Sequence, residues 1–415
     1  MEIRAVILMV EPVGIYISVP FCKAKCTFCN FASGVFGEER MQGYVDRVCA
    51  EIRGTHAAAI GRGGSLPRIA DTIYFGGGTP SLLSAEQFQQ IFQALRGEFD
   101  VVADAEITLE CAPGQLSDET LGQLLREGMN RISFGVQSFV DKETAAVGRL
   151  HTAQQCEEEI KRLRGAGVDE INVDLIAGLP HQTARNWRHS VERAVASGVP
   201  HVSVYLFEVD DESRLGREVL GQGTRYGAAA VPEEDEAAEF YQEACSALEA
   251  AGVHQYEISN FARSGHRSRH NLKYWRREPY IGFGLDAHSM LTAGANAVRF
   301  ANTSDLDGYL GTEAPAPFRL LESTSRDAAH ETDIIGHDQA FEESLFLGLR
   351  LNEGVDLDRL RGQFGDAMLR STTPSLVEAR EAGLLELGSD RVRLTARGRL
   401  ASNEVFSRLL IASAA

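Results

Sequence analysis

The chain has 415 residues, 44% of them hydrophobic and 24% charged, with a formal net charge of −18. That size and balance bound it to a soluble globular protein of about two or three domains. The acidic excess argues against a broad nucleic-acid surface, because phosphate binding needs local cationic excess. Seven cysteines, an odd number, argue against a disulfide framework and fit a reducing cytoplasm. The apolar run Ala5 to Val10 is too short and too poorly flanked for a signal peptide or a membrane span.

The first half reads as β-α units. Strands are expected at Ile15–Phe21, Thr72–Gly76, Glu106–Cys111, Arg131–Gln137, Glu170–Ile176 and His201–Val209. Helical patterns lie between them, among them Ala85–Leu95 and Ser117–Arg126, the second opening on an N-cap serine and an acidic first turn. Six strands alternating with helices predict an α/β fold with a parallel sheet, open or curled into a partial (β/α)6 barrel. An acidic helix start follows at Glu233 to Glu236, running to about Ala251, then a strand Tyr256–Ser259 and a Gly-rich loop at Gly282 to Gly284. Residues Asn302 to His337 read as a polar linker.

The tail has helices at Phe341–Arg350 and Leu357–Phe364, a helix ending near Ala382, a hairpin at Gly388-Ser389-Asp390 and a final helix from Ala396. That order resembles a winged helix, a small α+β C-terminal domain, without the basic excess that DNA binding needs. The expected division is 12–230 for the barrel, 231–325 for a middle segment and 326–415 for the C-terminal domain.

Three cysteines, Cys22, Cys26 and Cys29, fall in one loop after the first strand. The spacing C-x3-C-x2-C supplies three corners of an iron–sulfur cube and leaves one iron open to a small molecule. Zinc is the alternative, but a structural zinc wants four protein ligands, and no fourth Cys or His lies close in sequence. The spacing resembles the radical S-adenosylmethionine (SAM) superfamily, where the open iron takes the amino and carboxylate groups of SAM.

Other polar residues fall at the ends of the following strands. Gly76-Gly77-Gly78-Thr79-Pro80 follows the second strand, Glu110 ends the third, Gln137 ends the fourth, and Asp174 lies late in the fifth. Parallel sheets bind ligands at the carboxyl ends of their strands, so these residues describe one site. The triple glycine permits close backbone approach, though a tight turn is its bland explanation. Glu110 suits a ribose hydroxyl, and Arg149 suits a carboxylate.

Together these residues reproduce a family pattern. The run Tyr16 to Cys29, the GGGTP loop, Leu109 to Pro113, Gly135 to Ser138, Gly148 to Thr152 and Asp174 to Pro180 resemble the oxygen-independent coproporphyrinogen oxidase family. The likeness continues through Tyr256 to Ala262 and the HNxxYW run at His270 to Trp275, and ends at Leu394 to Leu400. The oxidase proper has a further cysteine two positions after the third; here Phe31 stands there. That and the HNxxYW run are similar to the heme-chaperone branch. The resemblance implies Tyr16, Gly78, Thr79, Glu110, Gln137, Arg149 and Asp174 as SAM contacts, with a 4Fe–4S cluster and heme as the other cofactors. The chain departs from the pattern at Ser18, Asn30 and Cys111, where His, Asp and Asn are common.

The stretch Phe261 to Arg277 carries six cations, Arg263, Arg267, Arg269, Lys273, Arg276 and Arg277, with His266, His270, Tyr274 and Trp275. Heme offers an axial site for imidazole, a flat face for aromatics and two propionates for arginine. His270 is the candidate ligand and His266 the fallback; a solvated loop with a core histidine is the alternative. Three functions follow: heme delivery to an acceptor protein, a respiratory and membrane-associated one included; radical oxidation of a porphyrinogen; or methyl transfer with two SAM molecules. The missing cysteine and the His270 run favour delivery. Subunit number is not fixed by the sequence, and a homodimer stays open.

Overall fold

The structure is a computed structural model that describes residues 11–61, 66–293, 296–311 and 332–409. The apolar run Ala5 to Val10 and most of the expected linker lie outside the described residues. Chain order begins β1 (Val13–Val19), α1 (Glu39–Gly61), β2 (Ile69–Gly77), α2 (Ala85–Glu98), β3 (Asp100–Cys111), α3 (Asp118–Arg126), β4 (Arg131–Gln137), α4 (Asp141–Ala146) and α5 (Ala153–Gly165). It continues β5 (Glu170–Ala177), α6 (Ala184–Ala196), β6 (His201–Leu206), α7 (Arg214–Leu220) and α8 (Glu234–Ala250). All six expected strands are present. The third starts earlier, at Asp100, and the sixth ends at Leu206, short of Val209.

The strands β1 to β6 pair in sequence order, all parallel. Their side chains alternate as the two-residue period requires. Val13, Ile15, Ile17 and Val19 of β1 are fully buried in one apolar cluster with Val45, Val48 and Ile52 of α1. Each such burial contributes about 1.5–3 kcal/mol. The other face of every strand is polar: Tyr16, Thr72, Glu106, Arg131, Asn172 and Ser203 belong to it. In a flat sheet, five steps of about 4.8 Å would set β1 and β6 about 24 Å apart. Tyr16 and Tyr205 nevertheless line a single cavity, so the sheet is curled around that polar face.

The middle of the chain extends this sheet at both margins. β7 (His254–Gln255) and β8 (Asn260–Ala262) pair antiparallel beyond β6. After α9 (Arg269–Arg276), β9 (Tyr280–Phe283) lies parallel to β1 on the other side. β10 (His288–Ala293), β11 (Asn296–Ala301), α10 (Leu306–Gly311) and β12 (Thr332–Ile335) follow, and the three strands continue that margin antiparallel. The result is one twelve-stranded sheet with β12 and β7 at its two ends. The expected strand Tyr256–Ser259 is instead a bend between β7 and β8. The Glu257 carboxylate causes it, accepting the Ser259 N–H at 2.9 Å and the Asn260 side-chain amide at 2.5 Å.

The C-terminal unit has α11 (His337–Arg350), β13 (Val355–Asp356), α12 (Leu357–Phe364), α13 (Asp366–Glu381), β14 (Leu385–Leu387), β15 (Arg391–Leu394), α14 (Ala396–Leu400) and α15 (Ser402–Leu409). Its sheet order β13-β15-β14 and its own apolar cluster match the winged-helix expectation. The final helix is broken, however, at Ala401 (φ −100°, ψ 29°). Thr395 caps Gly398 at 2.9 Å, and a Cβ on Gly398 would meet the Leu384 carbonyl. The first turn is thereby pinned to the hairpin, while Val405 and Leu409 must turn away to reach the core.

A buried carboxylate locks α1 to the far margin of the sheet. Glu51 accepts from Tyr309 Oη at 2.5 Å, Asn302 Nδ2 at 2.8 Å and Gly284 N at 3.1 Å. Glu51→Ala strands those donors without water and should cost about 2–5 kcal/mol. A urea titration should show a clearly lowered midpoint, with Glu51→Gln less affected because it keeps an acceptor. An unchanged Glu51→Ala midpoint would contradict the network.

Candidate functional site

The cysteine loop is held from four sides. Gly78 N and Thr79 N donate to the carbonyls of Val19 and Phe21 at 2.8 Å each. Cys22 N donates to Gly34 O and Gly34 N to Pro20 O, both at 2.9 Å. Thr27 N reaches Val147 O at 3.0 Å, and Leu215 N reaches Thr27 O at 2.8 Å. Residue 78 must be glycine: a Cβ there would sit 2.8–2.9 Å from the backbone of Val19, Pro20 and Phe21. The glycine loop is therefore first a support for the cysteine loop, in addition to any ligand it approaches.

Cys22, Cys26 and Cys29 line a cavity of about 370 Å3. Six of the seven residues expected around SAM line the same cavity: Gly78, Thr79, Glu110, Gln137, Arg149 and Asp174. Two carry signs of a missing partner. Gln137 ends β4 at φ 69°, left-handed backbone that costs a glutamine strain, and its buried Oε1 has no hydrogen bond. The buried Nε of Arg149 is likewise without a partner, and a Cβ on Gly135 would fall 2.2 Å from the same guanidinium. Buried polar atoms are rarely left unsatisfied, so the arrangement fits a polar ligand in this cavity.

Tyr16 is the exception. It lines a second cavity, of about 750 Å3, which adjoins the first. Glu110, Tyr205, Ile176, Asn30, Phe28 and Phe31 line both. Tyr205, at the end of β6, obeys the same strand-end rule that finds Glu110, although tyrosine is not a residue type that by itself marks a polar ligand site.

Glu110 sits at the junction. Tyr74 Oη donates to its Oε1 at 2.8 Å and Gly77 N to its Oε2 at 3.2 Å. Burial pushes its pKa up to about 7, and the nearby Asp174 adds to that, against these two hydrogen bonds and the Arg149 charge. Asp174 is also raised by burial, opposed by hydrogen bonds from Ser203, Asn172 and Ser133. Near neutral pH the site thus holds a carboxyl poised between its two protonation states, next to a cation.

His270 belongs to the second cavity, not to a solvent-exposed loop. Its Nδ1 bonds Thr72 Oγ1 and its Nε2 bonds Tyr274 Oη, both at 2.8 Å. Burial, with Lys273 nearby, pushes its pKa down to about 3, so the ring is neutral. Tyr16, Tyr74 and His270 stack with centroids 5.1–6.5 Å apart and planes within 23–29°, and all three line this cavity. The fallback, His266, is elsewhere: it bonds Glu170 at the start of β5 at 2.6 Å and is not among the lining residues.

The basic stretch also differs from expectation. Its cations face carboxylates: Arg267 and Arg276 face Glu353, Arg269 faces Asp71 and Asp104, Lys273 faces Asp71 and Glu278, and Arg277 faces Glu343. Arg263 is exposed. None of Arg263, Arg267 and Arg269 lines the cavity that holds His270. Their density is explained by docking α9 and its flanks onto an acidic protein. The cavity's own cations are Arg350 and Arg399, from the C-terminal unit.

The thiols surround the first cavity without converging on a point; no three His, Cys, Asp or Glu among the described residues are arranged for a single ion. A cube holds its thiolates at separate iron corners, and the donor set of three thiols beside orphaned Gln137 and Arg149 atoms fits a cluster with a polar co-ligand.

This curled parallel sheet, with three thiols after its first strand, defines a radical SAM protein. The Radical SAM superfamily signature matches residues 16–194 and the HemN C-terminal domain signature residues 335–401. The chain superposes on coproporphyrinogen III oxidase (HemN) from Escherichia coli with a TM-score of 0.77 and 22% identity, covering 96% of this chain and 90% of that one. It is 33% identical to the heme chaperone HemW of Bacillus subtilis over 95% of this chain and 98% of that one. It is 31% identical to the heme chaperone HemW of Escherichia coli over 96% and 98%. The chain belongs to the HemW family. Among the described residues no helix is long and apolar enough to cross a membrane.

The Glu110 carboxyl should titrate near pH 7, visible as a protonated carboxyl band in infrared difference spectra that Glu110→Gln removes. The sign for stability follows: a raised folded pKa favours the neutral form, so stability is present below the unfolded value and is lost as pH rises through about 7. Glu110→Gln should therefore gain on the wild type in unfolding midpoint as pH rises over that window. A band with an ordinary carboxylate midpoint would remove the argument.

Proposed function

We propose that this chain is a heme carrier of the reducing cytoplasm that binds heme in the second cavity and passes it to an acceptor protein. Cys22, Cys26 and Cys29 hold a 4Fe–4S cluster, and Gly78, Thr79, Glu110, Gln137, Arg149 and Asp174 seat SAM beside it. When bound, the cluster supplies an iron with a free coordination position and a source of electrons. The chain's own residues supply the rest: Gly78 admits the close backbone, Arg149 pairs a carboxylate, and Glu110 accepts hydrogen bonds from hydroxyls. The observation that carries the reading is the second cavity itself, lined by the stacked Tyr16, Tyr74 and His270 rings and sharing Glu110 with the thiol cavity. Its volume is within the range of small-molecule sites.

His270 is the axial candidate. Its Nδ1 is fixed by Thr72, and its Nε2 would turn to iron by releasing the Tyr274 hydroxyl. Phe31, where the oxidase pattern has a cysteine, is 61% exposed and lines both cavities, which weighs for an apolar ligand at that mouth.

The test is a heme titration of anaerobically reconstituted protein beside a decarboxylation assay on coproporphyrinogen. Heme should bind with a Soret band that His270→Ala shifts or weakens, and decarboxylation should be absent. Alanine at Cys22, Cys26 or Cys29 should abolish the cluster's iron and absorbance, while alanine at Cys49, Cys111, Cys156 or Cys245 should leave both. Robust decarboxylation without heme binding would restore the oxidase.

A further inference from the structure

The second cavity is closed on one side by the barrel and on the other by the C-terminal unit, through Arg350 at the end of α11 and Arg399 in α14. The two arginines differ in what holds them. Arg350 lies over the Trp275 ring, 4.2 Å from its centroid, with Nη2 3.6 Å from the buried Glu257 carboxylate. Its charge faces that carboxylate, although its buried Nε has no hydrogen-bond partner. Arg399 is half-buried and donates a single hydrogen bond, to the Leu394 carbonyl at 3.2 Å. No carboxylate pairs with it among the described residues.

On a chain of net charge −18, an arginine held at a cavity wall without a counter-charge is an exception. Among the exposed arginines of the same unit, Arg361, Arg391, Arg393 and Arg408 each face an Asp or Glu, whereas Arg397 donates to the Ala382 carbonyl out in solvent. Arg399, unlike these, is half-buried at a cavity wall. A planar guanidinium withdrawn from bulk water favours a bidentate carboxylate. The acids Glu208 and Asp210 also line this cavity and repel an anion from their part of it. A carboxylated ligand is thus oriented with its charged edge toward Arg399 and its flat body against the Tyr16, Tyr74 and His270 rings.

We infer that Arg399 is the carboxylate-holding residue of this cavity, and that the C-terminal unit forms half of a site for a flat macrocycle bearing carboxylates, of the porphyrin class. The inference rests on the carrier reading above and adds to it the group that grips the ligand's acid side chains. Arg399 is a specificity residue here: it distinguishes a free acid from a neutral ester of the same ring. The backbone that carries it is fixed, because Thr395 caps the turn and also bonds the Gly383 carbonyl at 2.9 Å.

The experiment titrates the full chain with heme and with heme dimethyl ester. The wild type should prefer the free acid by roughly tenfold to a hundredfold, the range of a desolvated charge-assisted hydrogen bond. Arg399→Gln should lose most of that preference by weakening the acid while leaving the ester unchanged. Arg399→Lys, which keeps the charge but not the planar fork, should retain part of it, a pattern that a folding defect would not give. If Arg399→Gln discriminates acid from ester as the wild type does, or binds both ligands equally poorly, the assignment of Arg399 is overturned while heme binding by the wild type stands. If the wild type binds neither ligand, the carrier reading and this inference fall together.

Discussion

The two-residue period of the parallel strands governs the molecule. One face of each strand is apolar and packs under helices; the other then has to face the inside of the curl. Polar side chains there cannot reach bulk water, so they must satisfy one another or a ligand. Toward the amino ends of the strands they satisfy one another. Asn172 bonds Ser133 at 2.7 Å and Ser203 at 3.0 Å, and His201 bridges Asn172 and Tyr256 at 2.6 and 2.9 Å. Toward the carboxyl ends Glu110 and Asp174 are still hydrogen-bonded, but Gln137 and Arg149 beside them keep unpaired buried atoms that face the first cavity.

α9 completes the amino-end layer. The Glu106 carboxylate accepts the backbone N–H groups of Arg269 and His270 at 2.9 Å each, at the positive end of the helix. Lys273 reaches the Asp71 carboxylate and the Pro12 carbonyl, also at 2.9 Å. The helix is thus a plug set by charge, and His270 enters the barrel as part of it. This explains why the ring is neutral and doubly bonded. The surrounding cations face carboxylates and hold the plug in place.

Much of this was legible in the sequence. Alternating β-α units, the cysteine spacing and polar residues at strand ends pointed to the parallel sheet and to six of the seven residues around the first cavity, because those signals are local or follow from strand polarity. Three things were not. Tyr16 points inward from the middle of β1, and its facing depends on register, which leaves the second cavity as its place. The bend at Glu257 comes from a carboxylate that captures backbone across two residues, a contact that β-propensity does not weigh. The approach of Arg350 and Arg399 depends on how the C-terminal unit packs on the barrel, for which no local pattern exists.

The two cavities are not independent compartments. Glu110 and Tyr205 line both, and Glu110 has a pKa set near neutrality by burial and by Asp174 against Arg149. A cationic group entering the first cavity lowers that pKa and favours the carboxylate; an apolar ring entering the second removes water from the same carboxyl and favours the acid. The protonation of one side chain therefore responds with opposite sign to occupants on its two sides. Tyr74 touches both sides: its hydroxyl bonds Glu110 at 2.8 Å while its ring lies 5.1 Å from that of His270. A hydrogen bond at one end of a tyrosine and a ring stack at the other place the thiol cavity and the aromatic wall one side chain apart.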